Sequence, residues 1–145
     1  MIVQNSSKDL EGLLVVTVEQ AVAAPYTSCR LADAGARVIK VERPEGDFAR
    51  NYDSNALGNS TYFVWLNRGK ESIALDLKNK EDMAVFENII SKSDILIQNL
   101  APGAFERLGL DLKELRLKYP SLITCSISGF GDEGPYKNQK AYDML

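Results

Sequence analysis

The chain has 145 residues, 45% hydrophobic and 26% charged, with a formal net charge of −3 and no histidine. That length suits one domain, burying about 70% of its unfolded surface, and the acidic balance argues against nucleic acid, whose phosphates demand concentrated positive charge. The missing histidine excludes Ser-His-Asp and Cys-His catalysis and argues against a zinc site, which leaves carboxylates, amines, hydroxyls and backbone dipoles to do any chemistry.

Residues 1–9 are polar and are expected to be loosely ordered; the start, MIVQNSSKDLEG, has no basic stretch followed by an apolar one and does not read as a secretory signal. Leu13–Val18 is a β-branched run that reads as a central parallel strand. A loop of small residues follows, and Pro25 is expected to open a helix that runs through Cys29 and stops at Gly35. Small residues at such a turn either admit a ligand close to the backbone or serve packing alone. Arg37–Glu42 reads as the next strand, with Lys40, Glu42 and Arg43 bringing charge to its carboxyl end. This is a βαβ unit without the GxGxxG dinucleotide fingerprint.

Residues 44–71 form the longest irregular stretch, with an aromatic cluster at Tyr62, Phe63 and Trp65 that is expected to dock on the body, where a helical turn near 61–66 is compatible with the pattern. Asn67–Lys70 reads as a turn whose two cations either meet an anionic ligand or are simply solvated. Ser72–Leu77 alternates as a strand does, and Asn79 starts a helix over 80–91 with Met83, Phe86, Ile89 and Ile90 on one face.

Ile95–Ile97 is too short for a helix and reads as a buried strand, followed by Gln98 and Asn99, a crossing loop with Pro102 in the first turn of a short helix, and Gly109. Ligands of open α/β sheets sit beyond the carboxyl ends of the strands, which puts Asn99, Leu100 and Arg107 at the ligand rim; a structural loop with a solvated arginine fits the same residues. Asp111 and Glu114 have the spacing of a capping box, Pro120 ends that helix, and Leu122–Ser128 is the last clear strand. Cys29 and Cys125 read as buried free thiols, and with them comes a cytoplasmic setting. No apolar run is long enough for a membrane-spanning helix. Strands alternate with helices, so the expected fold is α/β, Rossmann-like, with a mostly parallel sheet and helices on both faces.

Several motifs occur together in a set order: Leu10-Glu11-Gly12, Ala23-Ala24-Pro25, residues 34–44 (AGARVIKVERP), Gly46-Asp47, residues 66–73 (LNRGKESI), Leu75-Asp76-Leu77-Lys78, Asn99, Pro102-Gly103, Arg107-Leu108-Gly109, residues 128–131 (SGFG) and Gly134-Pro135-Tyr136. In this combination the chain resembles the N-terminal part of the family III CoA-transferases, the group of formyl-CoA transferase and carnitine CoA-transferase. The resemblance implies that residues 10–145 are a Rossmann-like CoA-binding part, incomplete at its C-terminal side. It implies CoA contacts at Val22, Ala23, Leu75, Leu77, Asn99, Leu100, Arg107, Leu108, Lys140 and Tyr142. Arg107 and Lys140 suit the CoA phosphates, and Leu75, Leu77 and Leu108 suit the adenine. Arg107, Lys140 and Tyr142 are therefore expected to converge at one end of the sheet.

The family's reaction moves CoA between an acyl-CoA thioester and a free carboxylic acid through an aspartyl-CoA intermediate, with CoA as substrate and no permanently bound cofactor or metal. The nucleophilic Asp is expected beyond Leu145, and Asp143 is not that residue, so the chain alone is expected to be inactive. Some relatives carry Gln where this chain has Val22. The resemblance also implies an interlocked homodimer, and a sheet cut at this point is expected to self-associate. Two other readings fit: an α-methylacyl-CoA racemase-like piece, which Tyr142 disfavours because racemases carry a histidine there, and a non-catalytic CoA-binding or interaction module.

Overall fold

The computed structural model describes residues 8–139 and residue 141. Five strands, β1 (Leu14–Val18), β2 (Arg37–Glu42), β3 (Lys70–Ala74), β4 (Ile95–Gln98) and β5 (Ile123–Ser126), form one sheet in the order β3-β2-β1-β4-β5. Every pairing is parallel. The chain builds outward from β1 through β2 and β3, then returns to the other flank of β1 with β4. The strand order therefore reverses between β1 and β4, the place where open α/β sheets bind ligands.

Alternation along the strands divides the core between two faces. Val16 and Val18 of β1 and Val41 of β2 pack with Phe86 and Ile90 of α3 (Lys80–Ile90), Phe105 of α4 (Ala104–Arg107) and Leu115 of α5 (Leu112–Lys118). Val15, Val38 and Ile97 face the other way, against Ala24 and Leu31 of α1 (Ala23–Asp33). The expected α/β architecture with helices on both faces is the one observed.

Local chemistry sets the helix ends. Asn79 and Asp111 accept the second and third amides of α3 and α5, as their positions imply. α1 closes in a Schellman turn: Ala36 N–H donates to Leu31 O and Gly35 N–H to Ala32 O, with Gly35 at φ +105°.

Five details differ from the sequence reading. α1 begins at Ala23, two residues before Pro25. β3 lies at Lys70–Ala74, not 72–77, because it pairs with β2 from Val38–Lys70 to Glu42–Ala74; this leaves Leu75 and Leu77 beyond the strand end. Pro102 lies outside α4, whose N-cap is Gly103 at φ +71°. β5 has four residues because its pairing with β4 runs only from Ile95 to Gln98. The stretch 44–71 is less irregular than it reads: a 3-10 turn (Phe48–Asn51) was not foreseen, while the helical turn allowed near 61–66 is present as a seven-residue helix, α2 (Thr61–Asn67). Leu66 of α2 is buried and Phe63 lies under the Arg50 guanidinium, 3.8 Å from ring centroid to Cζ. Tyr62 and Trp65 stay half-exposed, in a chain of tilted and edge-to-face ring contacts with Tyr52 and Tyr26.

Both cysteines are free thiols, Cys29 buried and Cys125 half-buried. Among the described residues no helix is long and apolar enough to cross a membrane.

Candidate functional site

A cleft of about 350 Å³ opens at the carboxyl ends of β1, β2 and β3. Val18, Glu19 and Gln20 leave β1 along one wall, residues 41–47 leave β2 along the next, and residues 75–78 leave β3 along the third. Leu100, after β4, and Leu108, after α4, close the far side. The lining combines apolar surface from Val18, Val41, Leu75, Leu77, Leu100 and Leu108 with two cations, Arg43 and Lys78, and two carboxylates, Glu45 and Asp76, all four exposed to solvent. Apolar walls with a few placed charges are the usual composition of a small-molecule site.

Three further carboxylates of the lining, Glu19, Glu42 and Asp47, belong to a largely buried ionic network. On β2, Lys40 and Glu42 point to the α1 face because they are two residues apart. Lys40, 1% exposed, places Nζ 2.7 Å from Asp47 Oδ2, 3.9 Å from Glu19 Oε1 and 3.0 Å from Asn67 Oδ1. Lys70 donates to Glu19 Oε1 at 2.7 Å, Pro25 O at 2.9 Å and Asn67 Oδ1 at 3.0 Å. Ser28 donates to the Glu19 carboxylate, and the Arg50 guanidinium grips Glu42 with two bonds of 2.9 and 2.7 Å. Lys40, Lys70 and Arg50 thus face Glu19, Asp47 and Glu42, three charges against three. Burial of this kind is tolerated only when charges are matched and hydrogen-bonded.

The titration behaviour follows. Burial by itself pushes the Glu42 carboxyl up, but hydrogen bonds from Arg50, Ser72 and the Asp47 amide outweigh it and hold the group at about 2. Burial pushes the Lys70 ammonium down, opposed by the adjacent Glu19. Thr17, under the same network, buries a hydroxyl that has no hydrogen-bond partner.

Two side chains fix the loop that leaves β1. Asn99 accepts from Gln20 N–H at 2.9 Å and donates to Gln20 O at 2.9 Å, extending the β1–β4 pairing with a side-chain amide. Asp47 Oδ1 accepts from Ala21 N–H at 3.2 Å and from Ala49 N–H at 2.9 Å. Ala21 has φ +64°, a left-handed conformation uncommon for a residue with a Cβ.

Of the residues singled out from sequence, Leu75, Leu77, Leu100 and Leu108 meet in the cleft. Val22 and Ala23 stand at the start of α1 and do not line it. Arg107 is folded back over Gly103, with Nη1 3.5 Å from Pro102 O. Lys140 and Tyr142 lie outside the described residues, so their expected convergence with Arg107 is not observable. The charges of the 67–70 turn meet carboxylates of the chain itself: Arg68 pairs with Asp33, and Lys70 with Glu19. Sequence reasoning noted Arg43 as a charge at the carboxyl end of its strand but named neither it nor Lys78 as a cleft cation. Their signal was position, each one or two residues past a run that ends at the ligand side of the sheet.

Comparison with known proteins adds an independent line. The profile of CoA-transferase family III matches residues 10–145. The acetyl-CoA:oxalate CoA-transferase of Acetobacter aceti is 43% identical over 136 residues, which are 93% of this chain and 35% of that protein. The human succinyl-CoA:glutarate CoA-transferase is 35% identical over 143 residues, 97% of this chain and 33% of that one. A crystal structure of a hypothetical protein from Mycobacterium tuberculosis superposes with a TM-score of 0.88 at 34% identity, covering 95% of this chain and 38% of that one. That of a CAIB/BAIF family protein from Brucella suis gives 0.86 at 38% identity, covering 94% and 37%. The chain spans 33–38% of the length of these relatives.

Proposed function

The chain belongs to CoA-transferase family III, and on that premise we propose that residues 10–145 carry the CoA-binding part of an enzyme that moves CoA between an acyl thioester and a free carboxylic acid. The observation that carries this reading is the cleft: leucines from three separate segments line it together with two cations, Arg43 and Lys78. CoA needs apolar walls for its adenine and cations for its 3′-phosphate and pyrophosphate. In this reading Leu75, Leu77, Leu100 and Leu108 hold the base, and Arg43 and Lys78 meet phosphate. Arg107 joins them by swinging off Pro102 O, Val22 and Ala23 meet the ligand from the start of α1, and the family resemblance assigns Lys140 and Tyr142 to the pantetheine arm.

The chemistry proposed is covalent. An aspartate carboxylate, supplied from outside residues 10–145, attacks the thioester carbonyl and expels CoA thiolate, leaving a mixed anhydride. The thiolate attacks the aspartyl carbonyl and releases the donor's carboxylate, which leaves an aspartyl-CoA thioester. An acceptor carboxylate then runs the same exchanges in reverse. One thioester replaces another, so no ATP is consumed, and CoA is a substrate rather than a resident cofactor. On this reading residues 10–145 bind CoA without turning it over. A cytoplasmic homodimer belongs to the same proposal, with the dimer checked by sedimentation.

Calorimetric titration tests the binding reading. CoA should bind more tightly than dephospho-CoA, and pantetheine should bind weakest. Equal affinity for all three, or no heat with CoA, overturns it.

A further inference from the structure

The loop between β1 and α1 forms a wall of the cleft, yet its shape is set by side chains from the strands on either side. Asn99, beyond β4, holds both the N–H and the C=O of Gln20. Asp47, beyond β2, holds the N–H of Ala21. Gln20 and Asp47 line the cleft, whereas Asn99 and Ala21 do not. Asn99 is thus aimed at backbone, while its neighbour Leu100 presents the contact surface. Asp47 is in turn fixed by Lys40 at 2.7 Å and through its own amide by Glu42 at 2.9 Å. The constrained residue between these two holders is Ala21, at φ +64°. An L-residue resists that conformation, so something must hold it there.

We propose that Asn99 and Asp47 are positioning residues that pin Gln20–Ala21 from opposite flanks of β1, and that this pinned, left-handed shape is what lets the cleft accept CoA. The inference rests on the CoA reading above but assigns these two side chains to the loop, not to the ligand. Asn99 acts through the Gln20 backbone, and Asp47 through the Ala21 amide. A glycine at position 21 adopts φ +64° without steric cost, whereas a β-branched residue cannot. The state of residue 21 should therefore govern ligand affinity even when neither Asn99 nor Asp47 is changed.

The test combines amide hydrogen exchange by NMR with CoA titration on the same variants. In Asn99→Ala, the Gln20 and Ala21 amides should exchange roughly tenfold faster or more, while Val16 in the centre of β1 keeps its rate. CoA affinity should fall by about tenfold in Asn99→Ala, and by at least as much in Ala21→Val, whose Asn99 and Asp47 are intact. Adding Ala21→Gly to Asn99→Ala should recover most of that affinity. Asp47→Asn keeps an oxygen for the Ala21 amide, so it should retain more affinity than Asp47→Ala at matched thermal stability. Unchanged exchange at Gln20 and Ala21 in Asn99→Ala overturns the proposal. So does loss of CoA binding that Ala21→Gly fails to restore, since Asn99 would then act on the ligand itself. Failure of the unmodified protein to bind CoA overturns the functional reading and with it the claim about affinity. The exchange rates separately decide whether the loop is pinned.

Discussion

Replacing Lys40 by Met tests the buried network at its centre. Met keeps much of the stem volume and removes the ammonium, so the change is largely one of charge. Lys40 Nζ is the closest cation to Asp47, at 2.7 Å, and the second to Glu19, at 3.9 Å. Its loss turns a matched set of three against three into two cations against three carboxylates. Asp47 then keeps only its amide donors, Ala21 and Ala49. Breaking a buried pair from one side costs about 3–5 kcal/mol, because the remaining charge stays desolvated. A domain of this size has a total stability of about 5–15 kcal/mol. At about 2–4 °C per kcal/mol, Tm should fall by roughly 6–20 °C. Urea unfolding followed by circular dichroism measures this directly. Adding Asp47→Asn to Lys40→Met removes the stranded charge while keeping an acceptor for Ala21, and should recover part of the loss. A drop below about 1 kcal/mol, the scale of a solvated surface pair, or a double variant less stable than Lys40→Met, would refute the reasoning.

Acid should weaken the fold through the depressed carboxyls. Glu42 titrates at about 2 against an ordinary 4.5, and Asp53, held by the Thr61 and Asn55 amides, at about 2 against 3.8. A depressed carboxyl contributes stability that is fully present above its unfolded value and is lost as pH falls through the folded one. Urea midpoints should therefore fall between about pH 5 and pH 2, and Glu42→Gln should flatten that slope. Thr17→Val removes the orphan buried hydroxyl and should raise stability by about 1 kcal/mol; a lower Tm would reveal a hidden partner for Thr17. Lys78→Ala alters an exposed side chain at the cleft mouth, so it should leave Tm unchanged while weakening CoA several-fold. Equal CoA affinity in that variant would remove Lys78 from the site.

The parts of this fold that were legible in sequence are those fixed by nearby residues. The β-branched run at 13–18 gives β1, and Asn79 and Asp111 mark helix starts because an N-cap is a local hydrogen bond. The stretch 44–71 was opaque because its order comes from distant partners. Asp47 is fixed by Lys40 and Arg50 by Glu42, while Leu66 is buried under contacts no local pattern records. Lys40 itself read as a charge at a strand end. Its burial depends on Glu19, Asp47 and Asn67 arriving from three other segments. The slide of β3 has the same cause, since a lysine at its first position reads as a turn until Glu19 is seen to receive it. In the site, Leu100 was legible because α/β sheets bind ligands beyond their carboxyl ends, whereas Leu75, Leu77 and Leu108 were singled out by family resemblance alone; all four line one cleft. Asn99 was found, but not what it holds: an amide that bonds backbone and one that bonds ligand look alike in sequence.

The central claim is that CoA occupies the cleft at the carboxyl ends of β1, β2 and β3. Mapping backbone amide shifts during CoA titration tests it most directly. Saturable shifts should concentrate at Gly46, Leu75, Leu77, Leu100 and Leu108, with α5 and the far ends of the strands unmoved. Shifts centred elsewhere, or none at saturating CoA, would contradict the account.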